Sequence, residues 1–305
     1  MEGRAGNRGR LIARSTVPMT DTPYEDGYWT SADGLKLHYR DYPGSSGRPP
    51  LICLPGLTRN ARDFEELATT FAGDWRVICV ENRGRGESEY ASDSSTYNPG
   101  QYVQDLLALL EDQAIERFVS VGTSLGGLMT FVLAATSPGR LAGAVINDIG
   151  PVIEASGLER ITDYVGQGRN FPTWMHAARA LEETMPDAYP RFEMADWVAL
   201  AKRLMVVSSN NRIVFDYDMR IAEPFSEAEN AAPADMWPML EALKDVPLLL
   251  VRGAVSDILS AETYEQMLAR LPLAEGVVVD DVGHAPLLTE AEAIAGMRRM
   301  LDKVG

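Results

Sequence analysis

Gly122-Thr123-Ser124-Leu125-Gly126 sets a serine midway between two glycines. The apolar run Phe118 to Val121 precedes it and reads as a strand, while Leu125 to Thr136 reads as a helix. A strand that turns this sharply into a helix bends the chain and leaves the serine hydroxyl exposed. Glycines two residues to either side leave room for the strand and helix to cross. The helix N-terminus also directs free N–H groups and a positive dipole at the point where an oxyanion would develop. Ser124 is therefore presented as a nucleophile.

A serine hydroxyl is a poor nucleophile at neutral pH and needs a base to take its proton. The chain has three histidines. His38 lies in an opening hairpin, and His176 stands beside Trp174 in a stretch that does not alternate strands with helices. His284, in Asp281-Val282-Gly283-His284-Ala285-Pro286, follows the last strand. Ligand sites of open α/β sheets form at the carboxyl ends of the strands, which selects His284. The imidazole in turn needs an acid to fix its tautomer. Asp257, after the strand Leu248 to Val251, is the first choice. Asp148, after the preceding strand, is its rival, and Asp280 and Asp281 read as part of the turn that presents His284. The expected set is Ser124, Asp257 and His284, in the order Ser, Asp, His.

The elements that must position these residues are legible as periodic segments. Tyr28 and neighbours, Ala32-Asp33-Gly34, then Leu35 to Arg40 form a hairpin signal. Leu51 to Leu54, Trp75 to Val80, Phe118 to Val121 and Leu141 to Ile146 are solidly apolar strands separated by helical patterns, the first an amphipathic helix from Asn60 to Phe71. Such strands imply a mostly parallel sheet covered on both faces, an α/β architecture with one antiparallel edge. The rhythm stops after Pro151 and resumes near Val246. The expected division is a tail at 1–22, a core of 23–151 and 241–305, and a helical insertion at 152–240.

Composition narrows the function. A net charge of -16 opposes nucleic acid, because phosphate binding needs clustered Lys and Arg, and opposes docking on anionic membranes. No apolar run approaches the roughly 20 residues of a membrane span. Arg4, Arg8, Arg10 and Arg14 open the chain without an apolar segment behind them, so a secretory signal is not expected; a disordered tail is the preferred reading, with a transit peptide or Met19 as the first residue its alternatives. Two cysteines, Cys53 and Cys79, sit inside strands without the partners of a zinc site. Buried free thiols point to a reducing, cytoplasmic setting.

Together, Leu54-Pro55-Gly56-Leu57, Asn82-Arg83-Gly84-Arg85-Gly86-Glu87-Ser88, the serine turn, the Arg252-to-Asp257 segment and Gly283-His284 make residues 25 to 305 resemble the α/β-hydrolase fold family. Many relatives carry His-Gly where this chain has Pro55-Gly56. The resemblance implies a cofactor-free, metal-free serine hydrolase whose oxyanion donors are the backbone N–H groups of Leu57 and Leu125. It implies that the insertion is a cap over the site, whose Trp and Met side chains either line an apolar substrate pocket or form the cap's own core. The substrate expected is a small apolar carboxylic ester or lactone. Carbon–carbon hydrolases of ring-fission products and perhydrolases share the same triad. A ligand sensor that retains the fold is the alternative of another class. Haloalkane dehalogenases and epoxide hydrolases need an aspartate where this chain has Ser124.

Overall fold

The computed structural model describes residues 23–224 and 235–304, so the N-terminal arginines and Met19 lie outside the described residues. Eight strands form the main sheet in the order β1-β2-β4-β3-β5-β6-β10-β11. β1 (Glu25–Thr30) and β2 (Lys36–Tyr42) make the antiparallel edge, and β2 runs antiparallel to β4 (Val77–Val80). From β4 onward the neighbours β3 (Leu51–Leu54), β5 (Phe118–Thr123), β6 (Leu141–Asn147), β10 (Leu248–Gly253) and β11 (Ala274–Val279) are all parallel.

Every residue of β3, β4, β6 and β10 is buried, which is why these strands read as unbroken apolar runs. Alternate side chains serve opposite faces. Ile52, Leu54, Ile78 and Val80 join one core with α2 (Pro99–Asp112) and α3 (Leu125–Thr136). Leu51, Cys53, Val77 and Cys79 join the other, with α1 (Glu65–Phe71) and the helix Ala291–Leu301. The strands are thereby locked in register, and their carboxyl ends share one edge. The two cysteines face each other across β3 and β4 as buried free thiols.

Between β6 and β10 lie α4 (Ala155–Tyr164), α5 (Trp174–Thr184) and α6 (Met194–Leu204), together with a three-stranded antiparallel sheet. Its strands are β7 (Asn170–Phe171), β8 (Met205–Val207) and β9 (Ile213–Phe215). The expectation of a wholly helical insertion missed this sheet. Strands of two or three residues are too short to show an alternating pattern. Trp197, Met185 and Met205 pack with Leu181, Leu200 and Leu204 in a separate core. The aromatic and sulfur side chains thus hold the insertion together. No helix among the described residues is long and apolar enough to cross a membrane.

Candidate active site

Ser124 sits at the tip of the turn between β5 and α3, with φ 52 and ψ -115. A non-glycine residue adopts that backbone only when its surroundings force it. Here the forcing is steric. A Cβ on Gly122 would lie 2.4 Å from the Gly126 carbonyl oxygen, and one on Gly126 would lie 2.0 Å from that of Leu54. The two glycines let the helix cross the sheet at contact distance, and the serine takes the bend.

Ser124 Oγ lies 2.9 Å from His284 Nε2. On the other side of the ring, His284 Nδ1 donates to Asp148 Oδ2 at 2.8 Å. A carboxylate only accepts, so this contact places the proton on Nδ1 and leaves the Nε2 lone pair facing the serine hydroxyl. Asp148 also accepts from the Gly253 N–H at 2.8 Å and from Ser256 Oγ at 2.7 Å. Its side chain is fully buried, and His284 is nearly so. A carboxylate held by three donors in that setting has one orientation.

Asp257, the expected acid, lines a cavity with His284 but is bonded to another partner. Its oxygens accept from Arg160 Nε at 2.5 Å and Arg160 Nη2 at 2.8 Å, a two-pronged ion pair with helix α4. Burial pushes the Asp257 carboxyl up, but the Arg160 guanidinium outweighs it and holds the group below the usual carboxylate range. The rival Asp148 therefore occupies the position beside His284. Both aspartates follow the carboxyl ends of strands that lie side by side, β6 and β10. Arg160 separates them, and no sequence pattern assigns that arginine a partner 97 residues away.

Leu57 and Leu125 are brought to the same spot. Leu125 opens α3 directly after the serine, and an ideal Cβ on Gly56 would lie 3.7 Å from Ser124 Cβ, so the Gly56-Leu57 loop passes against the nucleophile. Arg85 pins that loop: its Nε donates to the Leu57 carbonyl at 2.9 Å, and its Nη1 to Tyr102 and the Arg83 carbonyl. Asn147 ties the serine turn to the histidine loop, donating from Nδ2 to Thr123 Oγ1 and the Pro286 carbonyl. Sequence reading included Arg85 only as part of the Asn82-to-Ser88 motif and did not single out Asn147, because the partners Leu57, Tyr102, Thr123 and Pro286 lie far along the chain. His38 pairs with Glu81 and Asp26, and His176 with Thr173, both away from Ser124.

Two cavities meet at the serine. One, of about 310 Å³, is apolar and is lined by Leu125, Leu128, Ile149, Ile153, Leu158 and Ile258, among others. The other, of about 60 Å³, is mixed, with Arg59, Asp63, Arg160 and His284 beside Phe64 and Met185. Leu57, Ser124 and Ile161 line both. The tryptophans line neither, so their apolar surface serves packing, whereas Met185 of the insertion's core also borders the smaller cavity. No group of three or more candidate metal ligands occurs among the described residues.

Known proteins are similar to this chain over most of its length. The crystal structure of an alpha/beta hydrolase from Novosphingobium aromaticivorans is 58% identical and superimposes with a TM-score of 0.90, covering 93% of this chain and 100% of that one. A 3-hydroxybutyrate-oligomer hydrolase of Cupriavidus necator is 35% identical over 267 residues, 85% of this chain and 90% of its own. A 2-(acetamidomethylene)succinate hydrolase of Mesorhizobium japonicum is 26% identical over 238 residues, 77% of this chain and 81% of its own. Residues 51–297 match the alpha/beta hydrolase family. With that match and an eight-stranded, mostly parallel sheet, the chain is a hydrolase belonging to the alpha/beta hydrolase family.

Proposed function

We propose that the protein is a serine esterase that cleaves a carboxylic ester through an acyl-enzyme at Ser124. The observation that carries this reading is the continuous line from Ser124 Oγ through both nitrogens of His284 to Asp148. Ser124 attacks the carbonyl carbon as His284 Nε2 takes its proton. The carbonyl oxygen becomes an oxyanion held by the N–H groups of Leu57 and Leu125. Collapse expels the alcohol, which takes its proton from His284. A water, deprotonated by His284, attacks the acyl carbon and releases the acid and the free serine. Asp148, rather than Asp257, keeps the imidazole in the tautomer this sequence needs.

The relatives support an ester as the bond. Oligomers of 3-hydroxybutyrate, named in one of them, are hydroxyacid units joined by ester links. The apolar cavity beside Ser124 is large enough for a short or medium acyl group. A panel of p-nitrophenyl esters from acetyl to long-chain acyl tests the reading. Wild type should turn over the short and medium members, and Ser124→Ala should lower kcat by at least about 10⁴-fold. Equal rates in the two proteins would refute it.

A further inference from the structure

The smaller cavity at Ser124 holds two arginines whose ion pairs differ in geometry. Arg160 is committed: two of its nitrogens grip both oxygens of Asp257 at 2.5 and 2.8 Å. Arg59 is paired more loosely. Its one ion pair among the described residues is with Asp63, made by a single nitrogen, Nη1, at 3.3 Å to each carboxylate oxygen. Charge-assisted contacts of this kind normally close to about 2.7–2.9 Å and engage two nitrogens in parallel. The Tyr189 hydroxyl is the other neighbour of Arg59, and only 17% of the Arg59 side chain is exposed. Burial pulls against the Arg59 charge, and Asp63 outweighs it, so the guanidinium stays fully cationic.

Position matters as much as charge. The glycine beside Ser124 fixes the spacing, since an ideal Cβ on Gly56 would lie 3.4 Å from Arg59 Cγ and 3.7 Å from Ser124 Cβ. The serine and the arginine stem thus flank one residue, and the guanidinium is three bonds beyond Cγ. The Arg59 N–H closes a turn onto the Gly56 carbonyl at 3.1 Å, and the next residue, Asn60, caps the short helix Ala61–Phe64. Asn60 and Arg62 both donate to the Arg203 carbonyl, which anchors the segment from the other side. The arginine is built into a rigid loop, and such placement favours a ligand of fixed length.

We propose that Arg59 anchors a carboxylate of the substrate, so that the ester cleaved at Ser124 carries an acid group a few bonds from the scissile carbonyl, its apolar portion lying in the opposite cavity. This rests on the esterase reading and narrows it to anionic esters. A planar guanidinium offers a carboxylate two parallel hydrogen bonds, which a neutral ester end cannot accept in the same way. The smaller cavity, at about 60 Å³, has room for a group of that size.

The test compares two substrates that differ in one charge, 3-butanoyloxybutanoate and its methyl ester. Wild type should favour the acid in kcat/KM by on the order of 10- to 100-fold, and Arg59→Met should bring that ratio to about one. Arg59→Lys should retain part of the preference. Because the ratio is taken within each protein, loss of folded enzyme cancels. A wild type without the preference, or an Arg59→Met variant that keeps it, overturns the proposal. If wild type cleaves neither ester nor any p-nitrophenyl ester, the esterase reading fails separately. Titration of 3-hydroxybutyrate into Ser124→Ala, with and without Arg59→Met, then decides the anchor. Binding weakened at least about tenfold by the second substitution upholds it, and equal or absent binding overturns it.

Discussion

Asp148 and Asp257 both end a strand at the same edge of the sheet, yet their surroundings assign them opposite tasks. Asp148 is sealed from water and takes the Nδ1–H of His284, the Gly253 N–H and the Ser256 hydroxyl. Asp257 is one-third exposed and bound to Arg160. Replacing Asp148 by Asn offers His284 an amide that can donate as well as accept, which destabilises the tautomer with its lone pair toward Ser124. Asp148→Asn should lower kcat by on the order of 10⁴-fold, whereas Asp257→Asn should leave it within about tenfold of wild type. Steady-state kinetics of the two variants decide between the acids, and the reverse ranking would restore Asp257. Ser124 and His284 were legible in the sequence because each carries local information, a glycine pattern or a place after the last strand. The acid carries none. Two adjacent strand ends supply equivalent aspartates, and a helix from the insertion separates them by contributing Arg160.

The elements that hold the site were legible to the degree that one face or both were buried. β3, β4, β6 and β10 showed as apolar runs because each is buried at every position. The segment from Asn60 to Phe71, which reads as one amphipathic helix, is instead a short tight turn of helix at Ala61–Phe64 followed by α1. The break falls at Phe64, whose backbone leaves the helical region while its side chain stays in the core. The apolar spacing alone does not report such a change. At the crossing of β5 and α3, tolerance is set by backbone contact. The 2.0 Å approach of a Cβ on Gly126 to the Leu54 carbonyl cannot be relieved by a side-chain rotation. Gly126→Ala should therefore cost about 3 kcal/mol or more in unfolding free energy, with activity lost in parallel as the serine turn shifts. Urea unfolding of the variant measures this, and a loss below about 0.5 kcal/mol would show that the helix can move away.

Across the whole molecule, His38 joins the antiparallel edge to the parallel sheet. Its Nδ1 faces Glu81 and its Nε2 faces Asp26, so both nitrogens donate only when the ring is charged. Burial pulls its pKa down, but the two carboxylates prevail and hold it above the ordinary 6.5. The stabilisation from this cation is complete below the unfolded value of 6.5 and fades as pH rises through the higher folded value. Urea unfolding between about pH 5 and pH 9 should show that decline in wild type, and His38→Gln should flatten it. A decline of equal size in the variant would assign it to other groups. The meeting of two cavities at Ser124 has a consequence of another sort. Among the described residues their walls have only Leu57, Ser124 and Ile161 in common, and helix α4 gives Arg160 to one and Leu158 to the other. Selection can therefore reshape one wall while the other stands, and descendants of this chain could diverge in one half of the substrate at a time around an unchanged nucleophile.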